Sequence, residues 1–468
     1  MSLPSAPTLE NGSSSAATKR NWFYSVPTQA VILGLVSFLG VGMYNALSGL
    51  GAGGLASATV WNQATAILFT FLCVTCVFAP IVINQFELRW TLSLASASYS
   101  LYAASLYCNS KSGNTWFLIL ANVLNGIGAG AYYAVEGAAV TGYPEANRRG
   151  RMIAIWVACR NMGPIVGGAI LLSLNVRTNG TGSISLNSYA VFVGITCAAP
   201  FIALLLAPAA KVQRTDGTKV VVRPTNWRNE LKSSYRTLTS RKILLLVPLF
   251  FTSWWADSFV STYNATYLTV RSRALASFLT PFAGNIASFA TGWFLDSGDR
   301  VGSRRSRAKF ALAFFFVLDL AMYAYSAANE AHYTSLATPP KFDWSDRGFG
   351  RAYLHSFFRT FEELGIQSFL YFLMGTMTDD LHELVHLSGV LRGLEGAGQA
   401  VSYGIAGSSA SKWVSIGLGF GLVLVAYPCA YLVIKEIDEK GPTPNSAGGG
   451  AIDVDEDAGL DEKDGSEA

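Results

Sequence analysis

The sequence predicts an all-α membrane protein of about twelve transmembrane helices, arranged as two six-helix halves. Three observations carry that prediction. Apolar residues make up 51% of the 468-residue chain and charged residues only 14%, well under the roughly 25% usual for a soluble domain. The apolar residues collect into segments close to the ~20 residues needed to cross a hydrocarbon core. These segments fall six on either side of a polar stretch, Lys211 to Lys242, that holds nine Lys or Arg.

In chain order the apolar segments run over about Thr28 to Leu50, Thr59 to Ile83, Trp90 to Cys108, Thr115 to Val140, Met152 to Leu174 and Ser188 to Leu206. After the basic stretch come Ile243 to Leu268, Leu275 to Leu295, Phe310 to Ala328, Tyr353 to Met377, Leu387 to Ile405 and Trp413 to Ile434. The chain therefore divides into a Ser/Thr/Pro/Gly-rich, disordered start at 1–27, a first half at 28–210, a basic loop at 211–242, a second half at 243–435 and an acidic, Gly-rich tail at 436–468. The start has no early apolar core of the kind a cleavable leader needs, so the first membrane helix would target the chain.

Loop charge sets the orientation. Lys19, Arg20, Arg89, Arg148 to Arg151, the central stretch and Arg300 to Lys309 occupy alternate loops, while the intervening loops hold few cations, chiefly Lys111, Arg177, Arg271, Arg273 and Lys341. Basic loops stay in the cytosol, so both termini and the central loop are expected there, in the plasma membrane or an endomembrane. Asn179-Gly180-Thr181, a glycosylation acceptor pattern, falls in a loop facing the other way. The uneven charge thus describes topology, and nucleic acid is not an expected partner.

Ionic groups inside the apolar segments are the candidate functional residues. Glu136 and Arg160 lie in the fourth and fifth segments at matching depth from the hairpin at Arg148 to Arg151. A charge at the centre of a membrane helix costs about 3 kcal/mol, so the two should face inward and each other. Asp257 has no cation at helical spacing and sits beside Trp254 and Trp255, which suits binding a cation or a proton. Arg359 with Glu362 or Glu363, and Arg392 with Glu395, have the spacing at which a helix neutralises its own charge. Asn45, Asn62, Asn285, Asp319, Glu363 and Gln367 complete the polar groups expected at membrane depth.

Other patterns point elsewhere and are weaker. The glycines at Gly49 to Gly54 and Gly126 to Gly130 follow no strand, and small residues let membrane helices approach closely, so packing is expected there rather than phosphate binding. His382-Glu383-Leu384-Val385-His386 fits a zinc-protease pattern, but it falls at the mouth of the eleventh segment with only Glu395 as a further ligand. The six cysteines all lie in apolar segments and are expected to be core residues. No metal and no cofactor is expected.

The six-plus-six plan with a long middle loop resembles the major facilitator superfamily, whose halves rock about a central site. Gly126 to Gly130, Glu136-Gly137, Tyr143-Pro144-Glu145, Gly150-Arg151 and Gly167-Gly168 resemble the fourth and fifth helices of its Unc-ninety-three-like family. Tyr267 to Leu275, Asp343-Trp344-Ser345-Asp346, Glu363, Gln367 and Gly389 to Gly398 continue the likeness, which is to fungal-type members and spans about Thr28 to Ile434. Gly292-Trp293-Phe294-Leu295-Asp296 with Arg304 and Arg305 is similar to the superfamily's cytosolic gating motif, which implies a clasp between Asp296 and those arginines. The resemblance implies a carrier of a small solute or ion working by alternating access, with Glu136, Asp257 and Glu363 available for proton coupling. Family members linked to channel regulation and receptor trafficking imply a second reading, a non-transporting subunit with a membrane-protein partner.

Overall fold

The computed structural model describes residues 21–85, 87–144, 149–214, 227–297, 301–378 and 381–437. The expected disordered start up to residue 20, the acidic tail from 438, Arg148, Arg300 and the middle of the basic stretch lie outside the described residues, as does the side chain of His382.

Twelve rods cross the molecule. The first is α1 (Val26–Ser37) continued through one π-turn into α2 (Met43–Gly49); then follow α3 (Ala58–Gln85), α4 (Leu88–Ser112), α5 (Trp116–Gly142), α6 (Arg149–Asn175) and α7 (Leu186–Ala203). The basic stretch, expected as a loop, carries a helix, α8 (Trp227–Leu238), whose polar composition leaves it too short and too charged to cross a bilayer. The seventh rod is broken into α9 (Arg241–Thr252) and α10 (Asp257–Tyr267), and five more complete the set: α11 (Val270–Asp296), α12 (Arg304–Thr334), α13 (Phe349–Gly375), α14 (Leu381–Ala406) and α15 (Lys412–Lys435).

Eight of the rods are long and apolar enough to span a membrane on composition alone. The other four, α4, α11, α13 and α14, are the more polar ones, and α13 and α14 carry the buried Arg359, Glu362, Glu363 and Glu395. Hydrocarbon tolerates that polarity only when it faces protein or enclosed water. Large apolar side chains such as Leu94, Phe201, Phe289 and Trp293 project outward instead, where lipid covers them.

The buried apolar side chains form two cores. One gathers residues of α1 to α7 with Val270, Ala274 and Tyr403 from the second half, and the other gathers residues of α9 to α15. The halves meet along α3 against α14 and α6 against α11. Small residues set those crossings: a Cβ on Gly396 would meet Leu72, and one on Gly168 would meet the backbone of Phe278. Within the first half, Gly126, Gly128 and Gly130 lie against Leu68, Ser98 and Thr75 in the same way. Gly51, Gly53 and Gly54 do something else. They sit in a turn after α2 with φ of 74°, 55° and 79°, a backbone region that suits glycine.

Candidate functional site

Two polar clusters occupy the interior. In the first half, one oxygen of Glu136 accepts hydrogen bonds from Ser37 Oγ (2.8 Å) and Trp156 Nε1 (3.1 Å), and the other lies 3.7 Å from Arg160 Nη1. Ser37 sits at the end of α1 where the π-turn begins, and its hydroxyl also meets Tyr132 OH at 2.8 Å. The structure thus brings Glu136 and Arg160 together across α5 and α6. The Arg160 guanidinium lies over the rings of Trp156 (5.4 Å) and Tyr133 (5.8 Å).

From the second half, Arg392 Nη1 donates to Glu395 (3.0 Å), and Gln367 Nε2 donates to the same carboxylate (3.1 Å). The spacing of Arg392 and Glu395 anticipated their pairing within one helix. It did not anticipate that Arg392 also lies over Tyr133 of the opposite half, at 5.0 Å, and over Tyr371 at 5.7 Å. Two guanidinium groups, one from each half, therefore share one tyrosine ring as a neighbour.

The second cluster is deeper in the second half. Arg359 donates to Glu362 of its own helix (2.9 Å) and to Asp319 of α12 (3.0 Å), and Tyr427 OH donates to Asp319 (3.2 Å). Glu363 takes no share of that arginine: it is buried, and its Oε1 has no hydrogen-bond partner. Asp257, expected without a partner, accepts from Tyr403 OH at 2.8 Å because α14 packs against the break between α9 and α10. Asp257 and Glu363 lie within each other's field.

The remaining candidates are scattered. Asn62 is buried between the halves, donating to Thr262 Oγ1 (2.9 Å) and Ala406 O (3.2 Å). Asn45 is exposed on α2 rather than buried in the interior. Asp296 is exposed, and the described hydrogen bonds of Arg304 and Arg305 go to Gly375 O (3.3 Å) and Ile437 O (2.9 Å), so the expected clasp between acid and arginines is not formed among the described residues. Asn179 is exposed in its loop.

Sequence reasoning treated Arg273 as a loop charge. In the structure it is buried and donates to the carbonyls of Leu50 (2.7 Å), Gly51 and Gly182 (3.0 Å), all in the first half. Ala52 N to Ser261 Oγ (2.8 Å), Val270 N to Gly180 O (3.1 Å) and Arg271 N to Thr178 O (3.0 Å) reinforce the same closure. Backbone carbonyls carry no side-chain signal, so only the run of glycines before α3 hinted at it. Nearby, Arg271 pairs with Asp343 and holds its carboxyl well below the ordinary carboxylate range, so this outer clasp stays charged in mild acid.

Comparison with known proteins agrees with this architecture. Residues 61–293 match the family described as "Ion channel regulatory protein UNC-93". The chain is 37% identical to "Notoamide biosynthesis cluster protein O'" of Aspergillus versicolor, over 89% of this chain and 91% of that protein. It is 29% identical to an UNC93-like protein of Schizosaccharomyces pombe, over 96% and 94% respectively. Its fold is similar to the crystal structure of a D-xylose–proton symporter, a major-facilitator transporter, with a TM-score of 0.55 at 12% identity, covering 90% of this chain and 98% of the symporter.

Proposed function

The chain belongs to the UNC-93 family of multi-pass membrane proteins, and from that premise we propose that it is a carrier moving a small solute by alternating access, with protons as the coupling ion. Both halves bring an ion pair to their shared interface, and this observation carries the proposal. Glu136 with Arg160 and Arg392 with Glu395 meet at the ring of Tyr133. A pair of this kind can open when its carboxylate takes a proton, which changes the attraction between the halves and biases which face is open. Covalent chemistry plays no part in such a cycle.

The purified chain in liposomes with a trapped pH dye, offered a panel of small organic solutes, should admit protons in a solute-dependent way. Glu136→Gln should abolish that proton entry. Solute uptake indifferent both to the pH gradient and to the substitution would remove the coupling.

A second reading has one observation in its favour, the printed description of the matching family as an ion-channel regulator. On that reading the chain is an accessory subunit, and it should co-purify with one membrane partner while passing no solute. The orientation proposed on loop charge puts both termini in the cytosol and Asn179 outside. Endoglycosidase should then increase the gel mobility of the wild-type chain and leave Asn179→Gln unchanged.

A further inference from the structure

Building on the carrier reading above, we infer that the solute is a small organic anion, a carboxylate or phosphate on an aromatic or apolar body, held between Arg160 and Arg392. Both guanidinium groups lie over Tyr133, at 5.8 and 5.0 Å, so they are no further apart than those two distances laid end to end.

Four arginines within the described helices fall into two kinds. Arg359 has 3% of its side chain accessible and is bonded to two carboxylates, and Arg273 is sealed among carbonyls. Neither is open to a ligand, although the enclosed Nε of Arg359 has no hydrogen-bond partner. Arg160 and Arg392 keep 21% and 14% of their side chains accessible. A guanidinium carries five N–H donors in a fork that matches a carboxylate or phosphate edge. Arg392 spends one on Glu395, and Arg160 makes only the looser 3.7 Å approach to Glu136; neither has another described acceptor. Trp156, Tyr133 and Tyr371 flank the two guanidinium groups, and their ring faces suit a flat apolar body.

The two arginines also hold equivalent places. Arg160 lies on the fifth rod of the first half and Arg392 on the fifth rod of the second. One anion gripped by both would draw the halves together, which is what a carried solute must do. A cation would be repelled by both arginines, and a neutral solute would leave their donors unpaired.

Charge balance fixes the accompanying ion. Each arginine already has a carboxylate, so a bound monoanion leaves the site one negative charge in excess. A proton taken up by Glu136 or Glu395 restores neutrality and frees the neighbouring guanidinium. The neighbouring side chains of α1, α5, α6 and α13 are the Ser37 hydroxyl, Tyr132, Tyr133, Trp156 and Tyr371, none of them a carboxylate or an amine. One proton therefore travels with each single negative charge, and the step is electroneutral.

The test is calorimetric titration of the purified full chain in detergent with benzoate and with phenyl phosphate, using benzyl alcohol and benzylamine as size-matched controls. The anions should bind and the controls should not. Arg392→Lys, which keeps the charge and loses the fork, should weaken anion binding at least tenfold. The paired change Glu136→Gln with Arg160→Gln, which leaves no lone buried charge, should do the same without loss of folding by circular dichroism. Absence of binding by both anions, or equal binding of the controls, would overturn the inference. Because binding in detergent needs no transport, anion binding without liposome flux would sink the carrier reading alone. Proton-coupled flux of a non-anionic solute, without anion binding, would sink only this inference.

Discussion

Buried charge is handled residue by residue, and the differences are testable. Arg359 compensates both Asp319 and Glu362, so Arg359→Gln strands two carboxylates in a low-dielectric interior. Breaking a buried pair in this way costs about 3–5 kcal/mol. Glu363 has an oxygen with no partner, so Glu363→Gln removes a desolvated charge and gives up no ion pair. Thermal unfolding in detergent should therefore show a large fall for Arg359→Gln and an unchanged or higher midpoint for Glu363→Gln; equal losses would show that Glu363 is paired after all. The spacing of Arg359 and Glu362 made half of this cluster legible in the sequence. Asp319 was legible only as a polar residue at depth, because which face of α12 turns toward Arg359 depends on packing and not on local spacing.

At the scale of elements, the apolar segments were legible because the bilayer imposes one strong demand, a run of about 20 apolar residues with every backbone group satisfied. Eight of the rods meet it by composition, and α4, α11, α13 and α14 are the more polar ones. The interruptions were not legible. Nothing in the apolar run from Ile243 to Leu268 marks the break at Ser253–Ala256 except Pro248 and the small Ser253, and that break is what sets Asp257 opposite Tyr403. The π-turn at Phe38–Gly42 is equally silent, although Gly42 lets the first rod touch Gly163 of α6 backbone to backbone. Both features arise from how rods cross, where a wider helical turn re-aims the side chains beside it. Ser37, the last residue before the wide turn, is in consequence a ligand of Glu136.

For the whole molecule, the bonds between the halves divide by depth. On the face holding Leu50, Gly182 and Arg273 they are numerous and specific, while beside Tyr133 the halves meet through ring faces, guanidinium groups and the packing of α3 on α14. A carrier must break the first set to expose the site beside Tyr133 to that side, so a covalent bond across the same face should stop the cycle. Gly49 of α2 and Ser277 of α11 are suited to it, since a Cβ built on Gly49 lies 3.6 Å from the Ser277 Cβ, inside the roughly 3.5–4.5 Å range of a disulfide. The pair Gly49→Cys with Ser277→Cys should oxidise readily, eliminate liposome flux and recover it on reduction, whereas either single change should leave flux intact. Flux that persists in the fully oxidised protein would mean that this face need not open and that the two halves do not rock about that site.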